Sequence, residues 1–285
     1  MADTDATLRL RDGVFSIRQE SSGRFLDAHE NQGRDFSVVT RNRQNNDSQR
    51  WRVVPIGLVY TVQQVSTDRF MDAYESSGDD FSVVTRPEQD NDTQRWVVRN
   101  MPRELSAYTI QQLSTGRFLD AHGSSGEDYS VVTRTRQDND TQRWVISVRD
   151  DGDMVAIRQL SSDRYLDAYE NSGDDYSVVT RPRQNNDTQH WRFRAVASLV
   201  TIQQVSTDRY MDAHQSAGED YSVVTRRSQN DDSQRWVLTH LGSERFSIQQ
   251  LSTARHVDAY EQANEDWSVV TRPRQDNDTQ RWIIT

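Results

Sequence analysis

The stretch Ile17–Trp51, reading I-R-Q-E-S-S-G-R-F-L-D-A-H-E-N-Q-G-R-D-F-S-V-V-T-R-N-R-Q-N-N-D-S-Q-R-W, recurs in five further copies. They run Val62–Trp96, Ile110–Trp144, Ile157–Trp191, Ile202–Trp236 and Ile248–Trp282, with 34 positions between first and last residue every time. No copy carries an insertion. All length variation falls in the links from each Trp to the next Ile or Val, where the steps are 11, 14, 13, 11 and 12. A fixed period of about 47 residues marks a repeat architecture whose unit is too small to bury its own apolar face.

Within one copy, four short apolar runs are separated by turn chemistry. In the first these are Val14–Ile17, Phe25–Leu26, Phe36–Val39 and Trp51–Val54, with Ser-Ser-Gly, Glu-Asn-Gln-Gly and Gln-Asn-Asn-Asp-Ser between them. Phe36, Val38 and Thr40 alternate with Ser37, Val39 and Arg41, the period of a half-buried strand, and no stretch carries a helical stripe. Asn, Asp, Ser and Gly tolerate turn conformations, so the chain reverses between the runs. The expectation is an all-β chain of six four-stranded repeats, about twenty-four strands.

Six such units suit a six-bladed propeller or two three-lobed β-trefoils in tandem. A second, longer period selects the trefoils. Copies one and four share I-R-Q (Ile17, Ile157) and R-Q-N-N-D (Arg43–Asp47, Arg183–Asp187); copies two and five share V-S-T-D-R-[FY]-M-D-A; copies three and six share I-Q-Q-L-S-T and R-Q-D-N-D-T-Q-R-W. Copy n resembles copy n + 3, so three units make one closed domain. Arg11-Asp12-Gly13 before copy one has a counterpart in Arg149-Asp150-Asp151-Gly152 before copy four. On that basis the domains are expected at 1–147 and 148–285.

Composition narrows the function. A hydrophobic content of 33% and a mean hydropathy of −0.92 lean toward disorder when taken alone, but regularly placed Trp, Phe, Tyr and Val supply a β core. Without cysteine, neither disulfides nor thiol chemistry contributes. The N-terminal residues contain no basic segment followed by an apolar run, and no span near 20 apolar residues exists. A cytoplasmic protein, or one released by a non-classical route, with no membrane insertion is expected. A net charge of −10 argues against nucleic acid as partner. All 34 basic residues are Arg; Arg suits bidentate pairing with carboxylates and stacking on rings, so a lattice of structural Arg–Asp pairs between repeats is expected.

Each copy ends Q-x-W (Gln49-Arg50-Trp51, Gln189-His190-Trp191) and carries an [LMV]-D-A step about two dozen residues earlier. S-x-x-R-[FY]-L-D, then V-x-x, then Q-x-W, three times per domain, resembles the ricin-type β-trefoil lectins and the small bacterial trefoil lectins whose lobes read G-R-x-L-D-S. The resemblance runs from about Val14 to Ile284. It implies a non-enzymatic, multivalent carbohydrate-binding protein without cofactor, whose partners are glycans or glycoproteins and which agglutinates them. The alternative is a cytoplasmic protein-interaction scaffold of fascin-like logic, since trefoils serve that role too.

In lectins of this type the sugar-binding carboxylate is the Asp of the L-D step, which here implies Asp27, Asp72, Asp120, Asp167, Asp212 and Asp258. Two residues on stands an alternating ring, His29, Tyr74, His122, Tyr169, His214 and Tyr260, which on an extended strand projects to the same side. The turn before Q-x-W offers a third element, Asn46, Asn91, Asn139, Asn186, Asp231 and Asn277. An Asp at a strand end equally suits a structural role, accepting backbone N–H groups. The Trp of Q-x-W reads as core and its Gln as a partner for buried backbone groups. Phe36, Phe81, Tyr129, Tyr176, Tyr221 and Trp267 read as core or rim. The pattern departs from the family at Val39, Val84, Val132, Val179, Val224 and Val270, where an outward aromatic platform often stands. Copy six departs further, with His256-Val257 for the [FY]-[LM] pair and Asn264 in place of Gly. The six His residues occupy no shared catalytic position. The Asn/Asp turns lack the Gly and distal Glu of a calcium loop, so no metal is expected.

Overall fold

The structure, a computed structural model, describes residues 12–30, 35–76, 78, 80–101, 107–123, 128–149, 152–171, 173–215, 220–261 and 266–285. These form 23 strands and six single-turn 3₁₀ segments, the latter at each D-[ST]-Q, with no α-helix among them. Every copy builds the same hairpin. In the first, Phe25–Ala28 runs antiparallel to Phe36–Arg41 with Leu26 opposite Thr40 and Asp27 opposite Val39. Directly opposed residues share a face. Leu26, Ala28, Val38 and Thr40 therefore face the core, and Asp27, Val39 and Arg41 face away from it.

The six Trp of Q-x-W are wholly buried, and each indole N–H donates to a backbone carbonyl of its own hairpin, as Trp51 does to Leu26 at 3.0 Å. The adjacent Gln satisfies its turn at both ends: the Gln49 amide donates to the Asn42 carbonyl and its oxygen accepts from the Gln44 N–H, at 2.9 and 2.8 Å. Both roles expected of Q-x-W are met.

The chain divides into two compact units, and the division differs from a cut near 148. One unit comprises the described residues up to Gly57 together with Ala197–Thr285; the other is Leu58–Val196. Copies two, three and four close one ring, and copies five, six and one close the other. Backbone hydrogen bonds trace both circuits. In the first ring the N–H of Leu113, Leu160 and Val65 donates to the carbonyl of Arg95, Arg143 and His190, each at 2.9 Å. In the second, Leu251, Glu20 and Val205 donate to Arg235, Arg281 and Arg50, again at 2.9 Å.

Three repeats per unit were legible from the n + 3 period; which three were not, because a period carries no phase. The links decide it. Three of them turn back as hairpins, closed by Met101 N–H to Ala107, Arg149 N–H to Met154 and Leu241 N–H to Arg245, at 2.8–2.9 Å. The two shortest links, both of step 11, stay extended through Trp51–Gln64 and Trp191–Gln204 and carry the chain from one unit to the other. Val-Pro-Ile-Gly-Leu-Val and Ala-Val-Ala-Ser-Leu-Val lack the Asn, Asp and Gly pairs that a tight reversal uses. The same two fusions, offset by a split first strand at Gly13–Phe15 and Ile17–Gln19, bring the count of strands to 23.

Candidate functional site

Each hairpin ends on an Arg that gathers three partners. Arg41 closes Phe36–Arg41 and, two positions along the same face from Val39, reaches back over the opposing strand. Its Nη1 lies 3.5 Å from Oδ2 of Asp27. Nε and Nη2 fork onto Oδ1 and Oδ2 of Asp266, a residue of copy six, at 2.5 and 2.7 Å. Nη2 also lies 3.3 and 3.4 Å from the two ring nitrogens of His29. A guanidinium thus joins a buried carboxylate, a carboxylate of the neighbouring repeat and an aromatic ring.

The arrangement is sixfold. Arg86 holds Asp72 and Asp175, Arg134 holds Asp120 and Asp80, and Arg181 holds Asp167 and Asp128. Arg226 holds Asp212 and Asp35, and Arg272 holds Asp258 and Asp220. The forked pairs follow the two rings described above, so every inter-repeat seam within a unit carries one. The expected Arg–Asp lattice is present, with its members now assigned.

These contacts revise the role of the L-D aspartates. Asp27, Asp72, Asp120, Asp167, Asp212 and Asp258 are each 0% exposed, lie beneath their arginine, and in copies four to six accept from the Q-x-W amide at 3.1–3.3 Å. A carboxylate so covered cannot accept a hydroxyl from a solvent-borne sugar. Its charge instead stabilises the arginine above it, and the arginine offsets the desolvation of that charge. Val39 and its equivalents, at 4% exposure, are interior, so the platform position is closed as well.

What reaches solvent is the outer half of the set: the arginine edge, the neighbouring carboxylate, and the ring. Two versions alternate. In the Tyr copies Arg86, Arg181 and Arg272 stack 4.4–4.5 Å above Tyr74, Tyr169 and Tyr260. The phenols donate to Asp175 and Asp128 at 2.5 and 2.6 Å, and likewise to Asp220. In the His copies the ring Nε2 stands 3.4, 3.5 and 3.7 Å from Asp266, Asp80 and Asp35. The Asn turns stay apart: Asn46 accepts from Ser48 Oγ at 2.9 Å and donates to Gln44 at 3.2 Å. Asn91, Asn139, Asn186 and Asn277 repeat this bonding, and Asp231 caps its 3₁₀ turn by accepting from Ser233 N–H. Copy six retains the full set at Asp258, Tyr260 and Arg272; its Asn264 lies outside the described residues. The twelve arginines and outer aspartates were missing from the residue-level expectation, although T-R and D-[FYW]-S-V-V stand in every copy.

The electrostatics of the forks set an acid limit. The hydrogen bond from Arg181, opposed by desolvation and aided by Tyr169, pulls Asp128 down to about 2; Arg86 and Tyr74 do the same for Asp175. Hydrogen bonds to these aspartates push Tyr74 and Tyr169 up. On acidification the unfolded chain takes up protons first, near the ordinary value of 3.8, so this stabilisation is complete above that value and lost as pH falls through the folded one. Urea midpoints are expected to stay level from about pH 7 to 5 and to drop between about pH 4 and 2. A drop already complete at pH 5 would exclude the forks as its source.

Residues 6–85, 92–181 and 187–271 match the family model described as ricin-type beta-trefoil lectin domain-like. A comparison with curated protein sequences returned no match. Similar solved structures include the designed threefold-symmetric protein ThreeFoil, at 20% identity over 47% of this chain and 96% of that one, TM-score 0.43. The Rhizoctonia solani agglutinin is also 20% identical, over 49% of this chain and 96% of its own, TM-score 0.43. A Polyporus squamosus lectin is 18% identical over 50% of each chain, TM-score 0.44, so the match spans half of that lectin's length.

Proposed function

We propose that this chain, which belongs to the ricin-type β-trefoil lectin domain-like family, is a multivalent lectin that binds glycans at the six outer Arg/Asp/ring sets and cross-links what it binds. Carbohydrate binding of the β-trefoil type is the activity that family membership supports. The observation carrying the finer reading is recurrence: the same partly exposed donor, acceptor and ring stand together in all six copies. Guanidinium N–H groups donate to sugar hydroxyls, a carboxylate accepts from them, and a ring offers a face to C–H groups. Each set is shallow and binds weakly. Several on one chain raise binding to a glycan-coated surface by roughly 10²–10⁴ without new contacts when the spacing fits.

A broad glycan array with the intact chain is the test, run beside a variant carrying Ala at His29, His122, His214, Tyr74, Tyr169 and Tyr260. Selective binding and red-cell agglutination by the parent, lost in a variant with an unchanged circular dichroism spectrum, is the expected result. An array without any binder sinks the lectin reading, and retained binding in the variant moves the site elsewhere.

A further inference from the structure

The six outer sets are alike in composition but not in what they leave unbonded. In every one the arginine fork takes both oxygens of the outer aspartate: Nε donates to Oδ1 at 2.5–2.9 Å and Nη2 to Oδ2 at 2.6–2.7 Å. A carboxylate offers about four lone-pair positions, so the fork leaves about two. The Tyr sets use a third. Tyr74 and Tyr169 donate to Oδ2 of Asp175 and Asp128 at 2.5 and 2.6 Å, and Tyr260 donates to Oδ2 of Asp220. These bonds push all three phenols up, and the arginine covers one face of each ring. Donor and acceptor close on one another.

The His sets do not close in this way. Among the described residues, Oδ2 of Asp266, Asp80 and Asp35 accepts a hydrogen bond from its arginine alone. The Nε2 atoms of His29, His122 and His214 stand 3.4–3.7 Å off, beyond an ordinary N–H···O bond. Arginine Nη2 lies 3.3 and 3.4 Å from the two nitrogens of each ring. Near-equal distances place it over the ring face, because an equidistant approach within the ring plane would run into the carbon between the nitrogens. The lone pair and N–H of the imidazole lie in that plane, so the stacked arginine leaves both available. The His side chains are 25–40% exposed and their aspartates 32–36%, against 25–27% for the aspartates of the Tyr sets. Hydrogen bonds from the arginines hold Asp35, Asp80 and Asp266 below the ordinary carboxylate range, so the open acceptor is charged at neutral pH.

Each His set thus presents a charged acceptor beside a ring with a donor and an acceptor position of its own. The two stand too far apart to satisfy one another and close enough to meet neighbouring hydroxyls of one sugar. We propose that the three His sets are the strong glycan sites of the chain, each taking a pair of adjacent hydroxyls, one donating to aspartate Oδ2 and the other bonded to the imidazole. The Tyr sets bind more weakly, because their aspartate has already taken the phenol, and they chiefly hold the seams. This deepens the reading of the chain as a glycan binder and rests on it; it makes His29, His122 and His214 the specificity-determining residues. A hydrogen bond to a carboxylate is roughly twice as strong as one between neutral groups, which is why the open Oδ2 decides the ranking. The unit of copies two to four then carries one strong site, at His122, and the other unit carries two, at His29 and His214.

The test follows the imidazole signals of the full chain by NMR during titration with methyl α-D-mannopyranoside and methyl β-D-galactopyranoside. The isopropylidene ketals of both glycosides, in which an adjacent hydroxyl pair is blocked, are the parallel probes. His29, His122 and His214 are expected to shift to saturation with at least one free glycoside and with neither ketal, while His190, His240 and His256 stay in place. The triple variant His29→Tyr, His122→Tyr, His214→Tyr installs the ring of the alternate copies, so its circular dichroism spectrum should match the parent's. Its glycan binding on the array is expected to fall about tenfold or more. The reciprocal variant Tyr74→His, Tyr169→His, Tyr260→His opens the remaining sets and should raise the agglutination titre. Three imidazoles unmoved by both glycosides, ketals as effective as the free sugars, or an equal loss of array binding in the two triple variants would each overturn the assignment. An array on which the parent and the His-to-Tyr variant bind alike removes this ranking and leaves the lectin reading standing. An array on which the parent binds nothing removes both.

Discussion

Arg86→Met is expected to destabilise the chain by about 3–5 kcal/mol, the usual effect of removing one partner from a buried ion pair. Asp72 sits at 0% exposure with Arg86 as its ion-pair partner, and the substitution leaves that charge uncompensated while releasing Asp175 and Tyr74 from the seam between copies two and four. Urea unfolding measures it. The double variant Arg86→Met with Asp72→Asn removes the stranded charge and should recover a sizeable part of the loss. If the double variant is no more stable than the single one, the forked contact to Asp175 and not the buried aspartate dominates. If Arg86→Met unfolds within about 0.5 kcal/mol of the parent, the whole set is a solvated surface pair of the ordinary weak kind.

Dissection of the chain has the second large effect. Residues 58–196 expressed alone are expected to fold cooperatively, because that segment contains its full circuit of backbone bonds and the forks Arg86–Asp175, Arg181–Asp128 and Arg134–Asp80. A cut between 147 and 148 separates the partners of four forks, Arg41–Asp266, Arg226–Asp35, Arg86–Asp175 and Arg181–Asp128. Neither product of that cut should show a cooperative urea transition. Two stable halves from the cut at 147, with residues 58–196 unfolded, would contradict the assignment of repeats to rings.

The strands and the roles of Trp51 and Gln49 were readable because they follow from alternation and turn chemistry within one copy. Their determinants lie within 35 residues of sequence. The membership of each ring and the forks were not, because both depend on which copy lies beside which, and six nearly identical copies offer many equivalent neighbours. Asp27 illustrates the same limit at the site. Its phase on the strand was correct, yet phase does not tell whether a side chain meets solvent or lies beneath an arginine arriving from the opposite strand.

The two uninterrupted strands, Trp51–Gln64 and Trp191–Gln204, also fix an order of assembly. During synthesis the ring of copies two to four has all its parts once Val196 has been made, whereas copy one must wait for copies five and six, whose last strand pairs Ile284 with Ile17. Through that interval copy one carries an unpaired strand edge while copies with the same surfaces as its proper partners are already made, the condition under which repeat proteins misassemble. The straight links bear on this: Trp51–Gln64 runs as one unbroken strand from copy one into copy two, without the reversal that closes the hairpin links after copies two, three and five.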